Sequence, residues 1–381
     1  MQRRCFICDS DQGARVADIK IDVCGLGNVT YAIRCCAGCG LVLQDPAVPP
    51  DLMARHYTHF APYNAFTNTE PPLSGTSLRM LTMITEQGLP PGHVFDVGAA
   101  TGGMLLHFRR AGWQVEGSDL SPEAIRQAHD FYGIELALGG CEEVLADKRN
   151  LDLITLSHVL EHMYTPRSAL AAIHTALAPN GHFLLETPCL AEPERCAPGM
   201  FSMEHVNHFE RITMTRLLHA TGFAPVSIEI GGDNPLYPVI TVLARKLEHS
   251  QTDAGNAFDS NMAFCKTYTA RDEALWLNAQ THLHTVISPR EPVYIWSAGI
   301  QTSQLLARTD ILQYAQIRGL TDRDPRKQGL AIEGVSILSP DEVITAPHRI
   351  LIGSYSFAQN IEADLRARGV SPQRIIQIYQ P

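Results

Sequence analysis

The stretch Val94–Leu120 reads VFDVGAATGGMLLHFRRAGWQVEGSDL. A short apolar run ends in Asp96-Val97-Gly98-Ala99-Ala100-Thr101-Gly102-Gly103, and an apolar-periodic helix follows. A second strand, Gln114 to Gly117, then finishes on Ser118-Asp119. Strand, glycine turn, helix and strand, with an acid after the second strand, is the plan for holding a nucleoside at the carboxyl edge of a parallel sheet. Three nucleosides compete for it: a dinucleotide, a nucleoside triphosphate and S-adenosylmethionine. A plain βαβ turn without a ligand is the bland alternative.

No Gly-Lys-Ser/Thr follows the turn, so nothing is placed to reach a β/γ-phosphate or its Mg²⁺. The dinucleotide pattern G-x-G-x-x-G is nearly filled by Gly98, Ala100 and Gly103. Asp96 stands against it: a carboxylate there sits badly beside a pyrophosphate but can hydrogen-bond the ammonium of a methionine moiety. Asp119 can accept from both ribose hydroxyls. The pattern Asp96-x-Gly98-x-x-x-Gly102 with Asp119 resembles the first motif and the ribose-binding acid of class I methyltransferases. The cofactor residues expected on this stretch are therefore Asp96, Gly98, Ala99, Gly102, Asp119 and Leu120.

Downstream, Val226–Ile230 and Val239–Ala244 flank Gly231-Gly232-Asp233-Asn234-Pro235 and read as a hairpin. A terminal antiparallel hairpin closes a methyltransferase sheet and is absent from a standard dinucleotide domain. It discriminates better than any glycine.

The 381 residues exceed one ordinary domain. Four segments are expected: 1–65, a zinc-binding module with an aromatic connector; 66–245, the cofactor-binding core; 246–289, a helical linker; and 290–381, a C-terminal α/β unit. The net charge of −10, with no basic tract, argues against a nucleic-acid partner. No stretch approaches the ~20 apolar residues of a membrane span. The N-terminus MQRRCFICDS has no apolar run behind it and does not read as a signal peptide. Ten cysteines in such a chain point to a reducing cytosol, with thiols used for metal binding.

Six of those cysteines fall in the first ~45 residues. Cys5-x-x-Cys8 and Cys36-x-x-Cys39 form two knuckles able to present four thiolates to a structural Zn²⁺. Cys35 competes with Cys36, but only Cys36 has the two-residue spacing. A helix is expected over Asp51–His59, followed by the aromatic stretch Tyr57, Phe60, Tyr63 and Phe66, read as a lid or a packing surface between domains.

The fourth core strand, Leu151–Leu156, leads into Ser157-His158-Val159-Leu160-Glu161-His162. His-x-x-Glu-His suggests zinc, but that motif needs a sustained helix and a third ligand, neither of which is evident. The wording resembles the fourth motif of class I methyltransferases, which places His158 as a structural or cofactor-facing residue and His162 on the substrate side. Gly139-Gly140-Cys141-Glu142 follows the third strand where the adenine is expected, with Cys141 offered for its backbone. Pro179-Asn180-Gly181 is expected to end a helix ahead of a fifth strand, His182–Glu186. Beyond it lies Phe201-Ser202-Met203-Glu204-His205, where a doubly wound fold sets its insertions over the cleft. A histidine whose ordinary pKa of ~6.5 is raised by an adjacent carboxylate is a base suited to neutral pH.

The whole chain resembles the three-part sugar C-methyltransferases that act at C3 of nucleotide-linked 4-keto-deoxysugars. The resemblance rests on the knuckle Cys36-Ala37-Gly38-Cys39-Gly40-Leu41-Val42, the core from Asp96 to Gly102, and Asp322-x-Asp324-Pro325-x-Lys327-Gln328-Gly329 near the C-terminus. It implies a class I, Rossmann-like core between an N-terminal zinc-binding domain and a C-terminal Rossmann-like α/β domain that closes over the substrate. It also implies His205 as base, Glu204 as its orienting neighbour and His162 at the acceptor, with a small-molecule partner, a nucleotide-linked sugar. One position departs. The family carries a tyrosine three residues before the catalytic histidine, and here that residue is Ser202. A phenol there would stabilise an enolate; methylation of a hydroxyl needs only a base.

Overall fold

The computed structural model describes residues 3–60, 75–232, 234–248 and 255–379, the side chains of 58–60 excepted. Tyr63 and Phe66, half of the expected aromatic stretch, lie outside them, and no side-chain statement is made for Phe60.

The N-terminal module is a long hairpin, β1 (Gly13–Val23) and β2 (Gly27–Cys36), followed by the short β3 (Val42–Gln44) and helix α1 (Pro50–Phe60). Glycine at position 40 is required twice over: its φ is +85°, and a Cβ there would meet the Ala257 carbonyl carbon at 2.4 Å.

The core opens with α2 (Gly75–Glu86), β4 (His93–Val97), α3 (Gly103–Arg110), β5 (Gln114–Asp119), α4 (Pro122–Tyr132) and the brief β6 (Ala137–Leu138). Local chemistry explains α4. Ser121 caps it by accepting from the Ala124 amide at 3.2 Å, Pro122 opens the first turn, and Gly133 ends it in the left-handed region. Next come α5 (Cys141–Val144), β7 (Leu151–Ser157), α6 (Pro166–Ala176) and β8 (Leu177–Pro188). The sheet expected to start at His182 begins five residues earlier. Leu177 pairs with Leu151, and Pro179–Gly181 continue the strand instead of ending the helix. Gly181 lies so close to β7 that a Cβ would meet the Leu151 carbonyl oxygen at 2.9 Å.

The core closes with β9 (Asn207–His208), α7 (Arg211–Ala220), β10 (Phe223–Gly231) and β11 (Val239–Lys246). Its seven strands run in the order β10-β11-β8-β7-β4-β5-β6. From β8 to β6 the pairs are parallel, and the β10–β11 hairpin packs antiparallel against β8. Strand β9 is not part of that sheet. It pairs with β3, Val42 opposite His208 and Leu43 opposite Asn207, so the N-terminal sheet has four strands.

Helix α8 (Phe258–Val286) begins twelve residues before the expected Ala270 and runs for 29 residues. It is more than a linker. Asn261 donates to the Gly40 carbonyl at 2.8 Å, and Tyr268 accepts from the Met200 amide at 2.9 Å. Farther along, Trp276, Ala279 and Leu283 join the core of the last unit. That unit contains β12 (Pro292–Trp296), α9 (Ile300–Arg308), α10 (Ile311–Tyr314), β13 (Gln316–Thr321), β14 (Ala331–Ile332) and β15 (Val335–Leu338). It ends with α11 (Pro340–Thr345), β16 (Arg349–Ile352), α12 (Ala358–Ala367) and β17 (Ile375–Gln377). The sheet order is β14-β15-β13-β12-β16-β17, parallel except for β14. No helix among the described residues is long and apolar enough to cross a membrane.

Candidate active site

The turn after β4 has three residues at positive φ: Gly98 (74°), Ala100 (49°) and Gly102 (77°). Gly98 also passes so close to Val159 that a Cβ would meet Cγ2 at 2.5 Å. The amides of Gly98 and Ala99 both donate to the Ser118 carbonyl at 2.9 Å, which closes the turn onto β5. Asp119 then accepts from the Ala100 and Ser121 amides, each at 2.8 Å, with one bond to each carboxylate oxygen. Each oxygen keeps lone-pair capacity.

A cavity of about 380 Å³ opens above this turn. Of the expected cofactor residues, Gly98, Asp119, Leu120, Cys141 and His158 line it. Asp96, Ala99 and Gly102 do not. Gly102 caps α3, and the Ala99 amide is used within the turn. Asp96, expected to face an ammonium, is only 2% exposed and accepts from the Thr155 hydroxyl at 2.7 Å. Burial pushes its carboxyl up to about 7. Leu120 is 65% exposed, an apolar wall with nothing over it among the described residues.

His158 takes φ +54° at the end of β7. Its Nδ1 lies 3.4 Å from Glu161 Oε1 and its Nε2 3.4 Å from Glu186 Oε1. Burial alone would lower its pKa, but the two carboxylates outweigh burial and push it up to about 9. Both carboxylates are buried, and each is held down at about 2 despite its burial. For Glu161 the opposing groups are His162 and His158; for Glu186 they are His158 and Arg79, the latter at 2.9 Å.

A second cavity, about 530 Å³, lies between the loop 197–205, Tyr237 and the carboxyl edge of the C-terminal sheet. Ser202, Glu204 and His205 line one wall, and Gln301, Asp322 and Lys327 line the other. His162 belongs to the first cavity, and its ring centroid is 5.1 Å from that of His205. The two cavities therefore meet at His162, Glu204 and His205.

Glu204 raises His205 less than burial and His162 lower it. Its Oε1 lies 2.5 Å from His56 Nε2, and Glu204 is held at about 2 because His56 and the two nearby imidazoles overcome burial. Desolvation, with His162 beside it, pushes His205 down to about 4. The base expected near neutrality is thus a neutral imidazole throughout the physiological range. His162 Nδ1 lies 2.9 Å from both the Glu204 carbonyl and the Tyr57 hydroxyl.

Sequence reading missed the groups that set this arrangement. His56 carried no signal beyond its place on a helix, and Tyr57 was read only within an aromatic stretch, as a lid or a packing surface between domains. Gln44, fully buried, approaches the carbonyls of Ser202, Met203 and His205 at 3.0, 3.0 and 3.2 Å. Nothing local marks it.

Two clusters have metal-ligand geometry among the described residues. Cys5 and Cys39 are 3.5 Å apart at sulfur, as are Cys8 and Cys36. A tetrahedron with bonds of ~2.3 Å has edges of about 3.8 Å, so a Zn²⁺ fits with small adjustment. Cys35 points elsewhere, toward the Gly40 carbonyl. The other cluster, Glu161, His162 and His205, supplies the third donor that the His-x-x-Glu-His wording lacked. Glu161, however, already faces the raised imidazole of His158, which opposes a second cation there.

Residues 43–228 match a family described as a methyltransferase domain, and residues 290–376 match one described as C2185-like, N-terminal. Among curated proteins, the ubiquinone biosynthesis O-methyltransferase of Ralstonia nicotianae is 34% identical over 101 residues, 25% of this chain and 42% of that protein. The protein of the same name from Cupriavidus pinatubonensis is 32% identical over 107 residues, 26% and 43% of the two chains. The chain spans less than half the length of these relatives. Among solved structures, the 1,6-didemethyltoxoflavin-N1-methyltransferase of Burkholderia thailandensis, bound to 1,6-didemethyltoxoflavin and S-adenosylhomocysteine, is 21% identical. The alignment covers 46% of this chain and 80% of that one, with a TM-score of 0.39. The magnesium protoporphyrin IX methyltransferase of Synechocystis, bound to S-adenosylhomocysteine, is 16% identical over 51% and 99% of the chains, with a TM-score of 0.39. Residues 43–228 are thus a methyltransferase domain, and its sheet has the strand order of the class I, S-adenosylmethionine-dependent fold.

Proposed function

We propose that the chain methylates an activated, nucleotide-linked sugar, with the acceptor in the cavity between the core and the C-terminal unit. The observation that carries this reading is the meeting of two cavities at His162, Glu204 and His205. When bound, S-adenosylmethionine supplies an electrophilic methyl group on a sulfonium. Asp119 would hold its ribose hydroxyls, the Cys141 backbone its adenine, and Gly98 lets the chain approach it.

The acceptor cavity offers a hydroxyl-rich ligand charged and polar groups of both signs. Arg323, Ser354, Ser356 and the Lys327–Asp322 ion pair face it from the C-terminal unit, and Glu204 and His205 from the core. His205, neutral at pH 7, takes the proton that leaves the acceptor as its oxygen or carbon gains the methyl. A positioned base contributes about 10²–10⁴-fold. Ser202 lines the cavity where the resembling family has a phenol, which favours an acceptor hydroxyl over a carbon beside a ketone. The four-cysteine site is read as structural Zn²⁺ and the protein as cytoplasmic. A second reading, suggested by the names of the curated relatives, is O-methylation of a non-sugar small molecule.

The test is incubation with methyl-labelled S-adenosylmethionine and a panel of nucleotide sugars, with NMR of the product. Label on a sugar oxygen or carbon supports the proposal. Turnover of non-sugar hydroxyl compounds alone would sink it.

A further inference from the structure

Helix α1 belongs to the N-terminal module, yet it places two consecutive side chains in the junction between the cavities. His56 Nε2 meets Glu204 Oε1 at 2.5 Å across 148 positions of sequence. The Tyr57 hydroxyl meets His162 Nδ1 at 2.9 Å, with the rings perpendicular and 6.0 Å apart. The same His162 nitrogen lies 2.9 Å from the Glu204 carbonyl, so the four groups form one chain: His56, Glu204, His162, Tyr57.

The rest of the module holds that chain in register. The Gln44 amide of β3 approaches three carbonyls of the loop bearing Glu204 and His205, and its backbone amide donates to the Val206 carbonyl at 3.0 Å. Strand β9, which follows at once, is paired to β3. Loop and helix are thus fixed to one sheet, which is the condition for holding a side chain to the few tenths of an ångström that catalysis requires.

We propose that His56 and Tyr57 are positioning residues of the active centre: His56 aims the Glu204 carboxylate at the acceptor cavity, and Tyr57 fixes the His162 imidazole against the Glu204 carbonyl. The N-terminal module is then part of the active centre and not only a stabilising cap. This rests on the junction being the site of transfer, as proposed above.

The sign of the effect follows from the surroundings of Glu204. It faces His56 from α1, His162 from the end of β7, its neighbour His205, Tyr31 from β2 and Tyr237 from the β10–β11 connection. Lys327 and Cys24 share a small cavity of about 100 Å³ with Glu204 and His56. Without His56 the contribution opposing burial most strongly is gone, so the carboxyl takes up a proton at higher pH.

The experiment compares wild type, His56→Ala, His56→Gln and Tyr57→Phe in the full zinc-loaded chain. Carboxyl-¹³C glutamate and ¹⁵N-histidine NMR read Glu204 and His162 with no acceptor present. The expected result is an upward move of the Glu204 titration in His56→Ala, partly restored in His56→Gln, which keeps a donor. In Tyr57→Phe the His162 ring nitrogens shift. With an acceptor in hand, His56→Ala loses tenfold or more in kcat, and the acid limb of its pH–rate profile moves to higher pH. If Glu204 titrates alike in wild type and His56→Ala, and the His162 nitrogens are unmoved in Tyr57→Phe, the proposal is overturned whatever the acceptor is. Should His56→Ala fail to fold, the two conservative variants, at matched melting temperature, decide the matter by the same signals. Failure of the sugar panel with the NMR changes intact would remove only the acceptor assignment.

Discussion

The hydroxyl of Thr155 donates to Oδ1 of Asp96 at 2.7 Å, which links the two central parallel strands beneath the glycine turn. With Asp96 2% exposed and its carboxyl raised to about 7, this acid is a core residue that titrates near neutrality. A folded-state pKa above the ordinary 3.8 gives stability that is fully present below ~3.8 and lost as pH rises through about 7. The loss is on the order of 4 kcal/mol, from 1.36 kcal/mol for each pKa step. Asp96→Asn removes it. Guanidinium unfolding at pH 5 and pH 8 should show a smaller fall in stability for the variant than for wild type.

Gln44 is the second control point. Gln44→Leu leaves the carbonyls of Ser202, Met203 and His205 without their donor, that of Met203 in a buried setting. An unsatisfied buried group costs about 1–3 kcal/mol. We expect destabilisation of that size, and faster hydrogen exchange over residues 201–206 than over the Gly98 turn. Equal exchange in both places would show that the loop does not depend on Gln44.

For the four-cysteine site, elemental analysis should find one zinc per chain in wild type and in Cys35→Ser, and none in Cys36→Ser. The basis is geometric: Cys36 Sγ lies 3.5 Å from Cys8 Sγ, whereas Cys35 faces the Gly40 carbonyl. Chelation should unfold the N-terminal sheet first, because a closed site contributes its binding energy to folding.

His158 balances two buried carboxylates. Its raised pKa, about 9 against 6.5, gives stability that is complete below pH ~6.5 and lost as pH rises through 9. His158→Ala removes one of the cations facing each carboxylate, leaving Glu186 with Arg79 and Glu161 with His162. The cost should therefore stay below that of a fully broken buried pair, about 3–5 kcal/mol. The variant should be less stable than wild type at pH 6, with the gap narrowing by pH 10. A gap independent of pH would mean that the imidazolium is not what holds the pair.

What the sequence alone determined is what depends on neighbours in the chain. The Gly98–Gly102 turn, the Ser121 cap and Gly133 stop of α4, the paired knuckles and the closing hairpin were legible because each is set by backbone sterics, caps or periodicity over a few residues. Asp119 was expected at the strand end and is there. The protonation states were not legible. Glu204 was expected to raise His205 and does act in that direction, but desolvation of His205 and the neighbouring His162 outweigh it. Asp96 was assigned to the cofactor from its place before the glycine; that the register of β4 against β7 also sets it against Thr155 was not legible. Which residue faces a cavity, and how much water it keeps, depends on how sheets and loops distant in sequence pack together. That is why only the tertiary structure could bring His56 and Tyr57 of the N-terminal module beside Glu204 and His162.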